Sequence, residues 1–179
     1  MEISELYQIY QEHPVITTDS RDCPEGSIFL ALKGASFDGN KFADMALKKG
    51  CACVIIDEKE YAKEGDERYI LVEDCLTTFK ELAREHRRHF NIPVVGITGT
   101  NGKTTTKELV SAVLSEKHNV MFTQGNFNND VGVPKTLFRL NAEHEIAVVE
   151  MGASHPGDIE KLVKYVEPTC GMITNVGRA

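Results

Sequence analysis

The sequence lacks any apolar run long enough to cross a membrane as a helix, since none approaches the ~20 residues that such a span needs. Positive charge is also scarce. The 20 lysines and arginines are outnumbered by 27 aspartates and glutamates, which leaves a net charge of -7. This balance argues against broad binding to nucleic acids or membrane surfaces. Positive groups gathered at one place can still hold a phosphorylated ligand.

The five cysteines form no array of closely spaced pairs. Cys51 and Cys53 are separated by one residue inside an apolar stretch, which is not a C-x-x-C pattern. We interpret the five as reduced, mostly buried thiols of a cytoplasmic protein and disfavour metal binding. The acidic start at Met1-Glu2-Ile3 indicates a helix rather than a signal peptide.

One segment has the order of parts that builds a phosphate-binding loop. The apolar run Val94-Val95-Gly96-Ile97 is followed by a loop with two glycines, then by Lys103 and three threonines. Glycines let backbone N–H groups point inward, a helix start offers unpaired donors, and lysine adds positive charge. The Thr104 hydroxyl would bind the Mg²⁺ that accompanies a nucleotide. We predict phosphate binding by Gly99, Thr100, Asn101, Gly102, Lys103, Thr104 and Thr105.

This segment departs from the general pattern G-x-x-x-x-G-K-[ST], because Ile97 stands where the pattern has its first glycine. The alternative is an ordinary strand–helix connection with Lys103 in solvent. We favour nucleotide binding because a β-type run precedes the motif and a helix follows it, as the motif requires. The inner face of that helix is expected to carry Leu109, Val110, Val113 and Leu114.

Strands and helices alternate along the chain, which predicts an α/β fold. From residue 93 onward the alternation implies a parallel sheet with right-handed crossovers. Asn91-Ile92-Pro93 interrupts the pattern, so we place a domain boundary near residue 90. The expected strands are 15–17, 28–32, 51–56, 69–72, 94–97, 120–123, 146–149 and 170–174.

Glu150 directly follows the apolar strand 146–149. Ligands of open parallel sheets bind beyond the carboxyl ends of the strands, so this carboxylate is expected beside the phosphate loop. There it can hold Mg²⁺ directly or through water. The alternative is an acidic residue that begins an exposed loop. We favour the metal role because Gly152 and a polar loop follow.

Two polar clusters remain ambiguous from local sequence. Asn126, Asn128 and Asn129 are either turn residues or donors and acceptors for a sugar or diphosphate. Asp19-Ser20-Arg21 follows a β-type run, and its local sequence favours a hydrogen-bonded turn with an exposed arginine.

The segment Gly99 to Thr105 resembles the nucleotide loop of the Mur ligases, the ATP-dependent amino-acid and peptide ligases of peptidoglycan synthesis. Loops of that family have this spacing, so Ile97 is expected within it. Asn40 is a departure, because a histidine often follows Asp-Gly in the family. Further segments resemble the member that joins D-alanyl-D-alanine to UDP-N-acetylmuramoyl-tripeptide, and they are 18–21, 29–34, 38–39, 125–134 and 149–153.

The resemblance implies two domains. Residues 1–90 would form a small α/β domain that holds the UDP end of the substrate near Ser20 and Arg21. Residues 91–179 would begin a P-loop, parallel-sheet ATPase domain. The resemblance also implies ATP and Mg²⁺ as cofactors, with Lys103 and Glu150 as catalytic residues and Thr104 and Glu150 as metal ligands. Substrate binding is implied for Asn126, Asn128 and Asn129, the last two facing the muramoyl peptide.

In the family, the γ-phosphoryl of ATP passes to a peptide carboxylate, and the amine of D-alanyl-D-alanine attacks the acyl phosphate. The family's later elements are a histidine after Thr-Asn-Val-Gly-x-Ala, a carbamylated lysine, adenine-contacting segments and a C-terminal domain. All lie beyond Ala179. We therefore expect a truncated part of a longer, monomeric ligase. Alone it should not ligate, should bind its substrates weakly, and should tend to self-associate through exposed strand edges.

Two other interpretations stay open. A MurE-type or folylpolyglutamate-type ligase would share the ATP chemistry and use another substrate. A non-catalytic nucleotide-sensing module would bind nucleotide without turnover. We rank the module last because the asparagine-rich loop and the N-terminal domain would then have no evident purpose.

Overall fold

The computed structural model describes residues 1–177. Arg178 and Ala179, the last two residues of the segment 174–179 that matches Thr-Asn-Val-Gly-x-Ala, lie outside the described residues. The chain forms two compact units, Met1–Leu82 and the part from Ala83 onward. Each contains a parallel four-stranded sheet, which confirms the α/β class. The division falls a few residues before the predicted boundary near 90, and the roles of the two domains stay predictions.

The first unit is built on a sheet with strands in the order β1-β2-β3-β4. The two inner strands, β2 and β3, are buried along their whole length, as the continuous apolar runs predict for strands covered on both faces. The element bounds are α1 Ile3–Glu12, β1 Ile16–Thr17, β2 Ile28–Leu30, a 3₁₀ turn Gly39–Phe42, α2 Ala43–Lys48, β3 Cys53–Ile56, a second 3₁₀ turn Lys59–Tyr61 and β4 Tyr69–Leu71.

Asn40 links the first 3₁₀ turn to the end of β3. Its Nδ2 donates to Asp57 Oδ1 at 2.8 Å and to Asp38 Oδ1 at 2.8 Å, and its Oδ1 accepts the Asp57 N–H at 3.0 Å. Burial raises the pKa of Asp57, but hydrogen bonds from the Cys75 N–H, Lys33 and Asn40 outweigh it and hold that pKa below its ordinary value. The asparagine therefore has a clear structural role, although the resembled family often has histidine there.

The second unit has the strand order β6-β7-β5-β8, with the phosphate-loop strand β5 between β7 and β8. Its core lies on one face of the sheet and includes Val94, Leu137, Val149 and Leu162. The element bounds are β5 Val94–Thr98, α4 Lys103–Ser115, β6 Val120–Phe122, α5 Gly132–Leu137, β7 Ile146–Glu150, α6 Asp158–Val166 and β8 Cys170–Ile173. Helix α3, Cys75–Arg88, crosses the division between the units.

The expected inner face of α4 is only partly right, since Val110 and Leu114 are half-buried but the other two residues are not. Leu109 and Val113 are 64% and 72% exposed, whereas Lys107 and Ser111 are buried against the sheet. The start of the helix explains the difference. Thr104 points at β7, and positions three and seven residues further along share its face, so Lys107 and Ser111 follow it inward. The phosphate loop, rather than the apolar pattern, thus sets the rotation of this helix.

Candidate functional site

The loop between β5 and α4 lies at the carboxyl edge of the second sheet. Strands β5 and β7 are parallel and pair Ile97 with Glu150, which brings the end of β7 beside the start of the loop. Across this edge, the Thr104 hydroxyl donates to Glu150 Oε1 at 3.1 Å. The structure therefore brings together the two residues that sequence analysis proposed as metal ligands.

Glu150 is fully buried and only half satisfied. Its N–H donates to the Thr123 hydroxyl at 2.9 Å, and Asn128 Nδ2 donates to its Oε1 at 2.7 Å. Its second oxygen, Oε2, has no hydrogen-bond partner among the described residues. A buried carboxylate oxygen without a partner is energetically costly. This oxygen is therefore suited to an added cation.

Two glycines allow the loop its shape. Gly99 has φ +140°, and a Cβ there would lie 2.1 Å from the Thr174 hydroxyl oxygen. Gly102 has φ +77° and immediately precedes α4. L-amino acids with side chains rarely adopt such conformations, so both positions require glycine for backbone reasons, and Gly99 also for space.

The open side of the loop presents positive groups. The Thr106 N–H donates to the Gly102 carbonyl at 2.9 Å, so the preceding N–H groups of α4, those of Lys103, Thr104 and Thr105, have no intrahelical acceptor. The Lys103 ammonium lies over the loop, donating to the Gly99 and Thr100 carbonyls at 2.8 and 3.2 Å. Helix N-termini with free N–H groups attract anions, and the lysine adds a full charge.

The segment that follows β8 forms hydrogen bonds with Thr100 and Asn101 of the loop. The Thr100 N–H donates to the Asn175 carbonyl at 3.1 Å, and the Gly177 N–H donates to the Thr100 hydroxyl at 2.9 Å. Asn101 is held by both polar groups of the Asn175 side chain. The sequence patterns predicted no role for Thr174 and Asn175. Their position just after an apolar strand was the available signal, since β8 ends at the same edge as β5.

The three candidate asparagines have different surroundings. Asn128 contacts Glu150 and so belongs to the site. Asn129 Oδ1 accepts the N–H groups of Val131 and Gly132 at 3.2 and 2.8 Å, which ties its side chain to the start of α5. Asn126 is exposed. Asn128 thus orients Glu150 and Asn129 caps the start of α5, and a contact of any of the three with substrate stays a prediction.

Asp19, Ser20 and Arg21 form a turn in the first unit, in which Arg21 is exposed and the other two are half-buried. Arg21 Nη2 lies 2.7 Å from Asp19 Oδ2, and its side chain is 87% exposed. The same arginine holds the pKa of Asp19 well below its usual range through side-chain and backbone hydrogen bonds. Lys49 Nζ donates to the Ser20 carbonyl at 2.8 Å. The turn thus places two cationic side chains at one exposed position.

Residues 1–177 contain no cluster of three or more His, Cys, Asp or Glu side chains placed to hold a metal. All five cysteines are free thiols, and Cys51, Cys53 and Cys75 are buried. Among the helices of that part of the chain, none combines the length and apolar character of a membrane span.

Two family models match this chain, and together they cover both units. The Mur ligase family catalytic domain matches residues 14–87, and the Mur ligase middle domain matches residues 97–179. The chain belongs to the Mur ligase family. Its similarity is to the family's UDP-N-acetylmuramoyl-tripeptide–D-alanyl-D-alanine ligases, known as MurF. The Synechocystis enzyme is 46% identical over 164 residues and the Bacillus subtilis enzyme 39% identical over 164 residues.

The chain is shorter than these relatives. Each alignment covers 92% of this chain and 36% of the relative, so the chain spans about a third of their length. MurF from Acinetobacter baumannii superposes with a TM-score of 0.89 at 34% identity, over 99% of this chain and 41% of that one. MurF from Thermotoga maritima in complex with ADP gives 0.85 at 40% identity, over 92% and 38%.

Proposed function

We propose that this chain is part of an ATP-dependent carbon–nitrogen ligase that joins D-alanyl-D-alanine to UDP-N-acetylmuramoyl-tripeptide during peptidoglycan synthesis. The observation that carries the proposal is the contact between Thr104 and the buried, half-satisfied Glu150 at the mouth of a glycine loop. The names of relatives that are 46% and 39% identical support the substrates. Binding of ADP by the Thermotoga maritima MurF supports the nucleotide.

The phosphates of ATP would lie on the open side of the loop. There the N–H groups of Lys103, Thr104 and Thr105 are free of intrahelical acceptors, and the Lys103 ammonium can exchange the loop carbonyls for phosphate oxygens. Gly99, Thr100, Asn101 and Gly102 would shape this surface. Charge-assisted hydrogen bonds of this kind are the stronger ones in proteins, which suits a polyanionic ligand.

Thr104 and Glu150 would hold Mg²⁺. The donor set fits, because Mg²⁺ takes oxygen ligands and is usually bound through one or two carboxylates and substrate phosphates. The unpaired Glu150 Oε2 would gain a partner, and Asn128 would keep the carboxylate in orientation through Oε1. When bound, the ion supplies charge neutralisation to the phosphates.

The reaction of the complete ligase must bring two anions together, since a carboxylate attacks the γ-phosphoryl of ATP to give an acyl phosphate. Lys103 would offset this repulsion at the phosphate chain, and the α4 N-terminus would add fixed dipoles that need no rearrangement. The amine of D-alanyl-D-alanine then displaces phosphate from the acyl carbon. Lys103 and Glu150 are therefore the catalytic residues that we propose within this chain.

The remaining assignments follow the same proposal. Residues 1–90 would bind the UDP end of the substrate, with Ser20 and Arg21 near that ligand. Residues 91–179 would begin the ATPase domain, with Asn126, Asn128 and Asn129 as substrate-binding residues and the last two facing the muramoyl peptide. Nucleic acids and membranes are not proposed as partners. The complete ligase would be cytoplasmic, since free thiols are typical of reducing compartments, and we propose that it is a monomer.

The alternative ligases have less support. A solved UDP-N-acetylmuramoyl-L-alanyl-D-glutamate–2,6-diaminopimelate ligase superposes with a TM-score of 0.60 at 20% identity, over 93% of this chain and 37% of that one. Likeness at this level concerns the fold alone. The relatives named for D-alanyl-D-alanine share nearly twice that identity or more, and we therefore favour that acceptor.

Two measurements test the proposal. Calorimetric titration of the 179-residue chain with ADP should show Mg²⁺-dependent binding that Lys103→Ala abolishes, while Lys117→Ala, an exposed lysine, binds as the unchanged chain does. Phosphate release by the complete protein should require both UDP-N-acetylmuramoyl-tripeptide and D-alanyl-D-alanine. Turnover with a single amino acid in place of the dipeptide D-alanyl-D-alanine would contradict the assignment. Amide formation by the 179-residue chain would contradict its expected inactivity alone.

A further inference from the structure

The side chain of Asn175 forms hydrogen bonds with both backbone polar groups of Asn101 in the phosphate loop. Its Oδ1 accepts the Asn101 N–H at 3.1 Å, and its Nδ2 donates to the Asn101 carbonyl at 3.0 Å. The Thr174 hydroxyl donates to the same carbonyl at 2.6 Å. The backbone of Asn101 is thus satisfied entirely from the segment after β8.

These hydrogen bonds divide the loop into two parts with different tasks. The N–H groups of Thr100 and Asn101 donate to the Asn175 carbonyl and side chain, so they are not available to a phosphate. The N–H groups that remain free of helix acceptors belong to Gly102 and to the first three residues of α4, Lys103, Thr104 and Thr105. We call residues 100–101 the held limb and residues 103–105 the open limb.

Gly102 connects the two limbs, and little packs against it. It has φ +77°, and a Cβ built there would meet no atom within 4 Å. A glycine in such open space has wide conformational freedom, so packing at Gly102 does not fix the direction of the open limb. The orientation of the open limb therefore depends on α4 at one end and on the held limb at the other.

We infer that Asn175 is a positioning residue, which acts through the backbone of Asn101 to keep the N–H groups of the open limb directed at the nucleotide phosphates. This inference deepens the proposed function and rests on it. Asn175 itself adds no charge and performs no chemistry. Its contribution is preorganisation, since donors fixed in advance need no rearrangement when the anion arrives.

The opposite end of the same strand pair offers a matched control. The Thr169 hydroxyl accepts the Val94 N–H at 3.0 Å and donates to the Val94 carbonyl at 3.2 Å. Thr169 therefore joins β8 to β5 by the same two-way contact as Asn175, but at the amino end of β5, away from the loop. Thr169→Val removes this contact with little change of shape, and Asn175→Ala removes the other while keeping the backbone bond to Thr100.

The test compares these two variants of the 179-residue chain. Calorimetry would measure binding of ADP and of tripolyphosphate, both with Mg²⁺, and hydrogen exchange would report on the amides of residues 100–105 without ligand. Asn175→Ala should weaken both ligands about tenfold, the loss expected when about one net hydrogen bond is removed. Its amides at Asn101 and in the open limb should exchange faster. Thr169→Val should lower the melting temperature by about as much as Asn175→Ala does. It should leave the affinities for both ligands unchanged.

Each other outcome has a definite meaning. Affinity unchanged by Asn175→Ala, while the unaltered chain binds both ligands, would overturn the inference and leave the proposed function standing. Equal weakening by both variants would show that Asn175 matters only for stability, which also overturns the inference. Failure of the unaltered chain to bind either ligand would overturn the proposed nucleotide site and the inference with it.

Discussion

The Thr104 hydroxyl donates to Glu150 Oε1 across 3.1 Å, which joins the first turn of α4 to the last residue of β7. This contact has two consequences. It completes an oxygen-rich site beside the phosphate loop, and it fixes the rotation of α4 so that Lys107 and Ser111 face the sheet. The same pair of residues therefore forms the proposed metal site and sets the rotation of the helix.

Glu150→Gln should separate function from stability. The change keeps the shape of the side chain and replaces a buried carboxylate by an amide. The Oε2 atom of that carboxylate has no hydrogen-bond partner among the described residues. Burying an amide is less costly than burying an unpaired carboxylate oxygen, so the free energy of unfolding should stay equal or rise by about 1 kcal/mol. Mg²⁺-dependent ADP binding should fall at least about tenfold, because the metal loses its carboxylate.

Thermal unfolding and calorimetry of the two proteins check this expectation. Glu116→Gln, at an exposed position at the end of α4, serves as the control and should leave both quantities unchanged. Unaltered Mg²⁺ dependence in Glu150→Gln would remove Glu150 from the metal site.

Gly99→Ala should destabilise the second unit more than an alanine at another left-handed glycine. The new Cβ would lie 2.1 Å from the Thr174 hydroxyl and would also oppose φ +140°. Gly157→Ala meets the φ penalty alone, since nothing lies within 4 Å there. We expect a loss of about 1 kcal/mol for Gly157→Ala and about 3 kcal/mol or more for Gly99→Ala, measured by denaturant unfolding. Equal losses would mean that the loop moves freely away from β8.

The sequence could predict the parts of the site that follow from sheet topology, but not those that depend on individual side-chain contacts. Glu150 could be placed beside the loop because parallel strands end at one edge, which is a rule about topology. The hydrogen bonds between the Asn175 side chain and the Asn101 backbone could not be predicted, because such contacts depend on the register of β8 against β5. Leu109 and Val113 were wrongly placed on the inner face of α4. Apolar spacing identified the helix, but it did not show which side the contact between Thr104 and Glu150 turns toward the sheet.

Asn40 should be essential to the stability of the first unit. Asn40→Ala removes the acceptor of the Asp57 N–H and one of the three donors to the Asp57 carboxylate, which should cost about 1–3 kcal/mol. Asn40→Asp should cost more at neutral pH, because a third carboxylate would be placed beside Asp38 and Asp57. Denaturant unfolding at pH 7 measures both, with the exposed Asn91→Ala as the control. An Asn40→Asp variant more stable than Asn40→Ala would contradict the network.

The exposed face of α4 should tolerate polar residues. Leu109→Gln and Val113→Thr change side chains that are 64% and 72% exposed, so each should alter the free energy of unfolding by less than about 0.5 kcal/mol. Leu137→Ala in the core should cost about 2–5 kcal/mol. Sedimentation velocity on the same variants tests the expected self-association, which the polar changes should reduce if this face takes part. A large loss of stability from Leu109→Gln would restore the original assignment of the inner face.

His86 should make the second unit less stable in mild acid. Burial lowers the pKa of His86 below 6.5, with an added contribution from His89, while the hydrogen bond to the Leu140 carbonyl opposes the shift. At pH 7.5 the ring is neutral in both the folded and the unfolded state. As the pH falls through the ordinary pKa of about 6.5, the unfolded state takes up a proton that the folded state resists, so the free energy of unfolding decreases.

The measurement is denaturant unfolding at pH 7.5 and pH 5.5 for the unaltered chain and for His86→Phe, which keeps an aromatic ring against Phe90 and Phe138. The variant loses the bond to Leu140 and should be less stable at pH 7.5, but its stability should fall less between the two pH values. His144 also has a lowered pKa, through burial and Arg139, so some pH dependence should remain. Identical slopes in the two proteins would show that His86 takes up its proton equally easily in the folded and unfolded states, contrary to its burial.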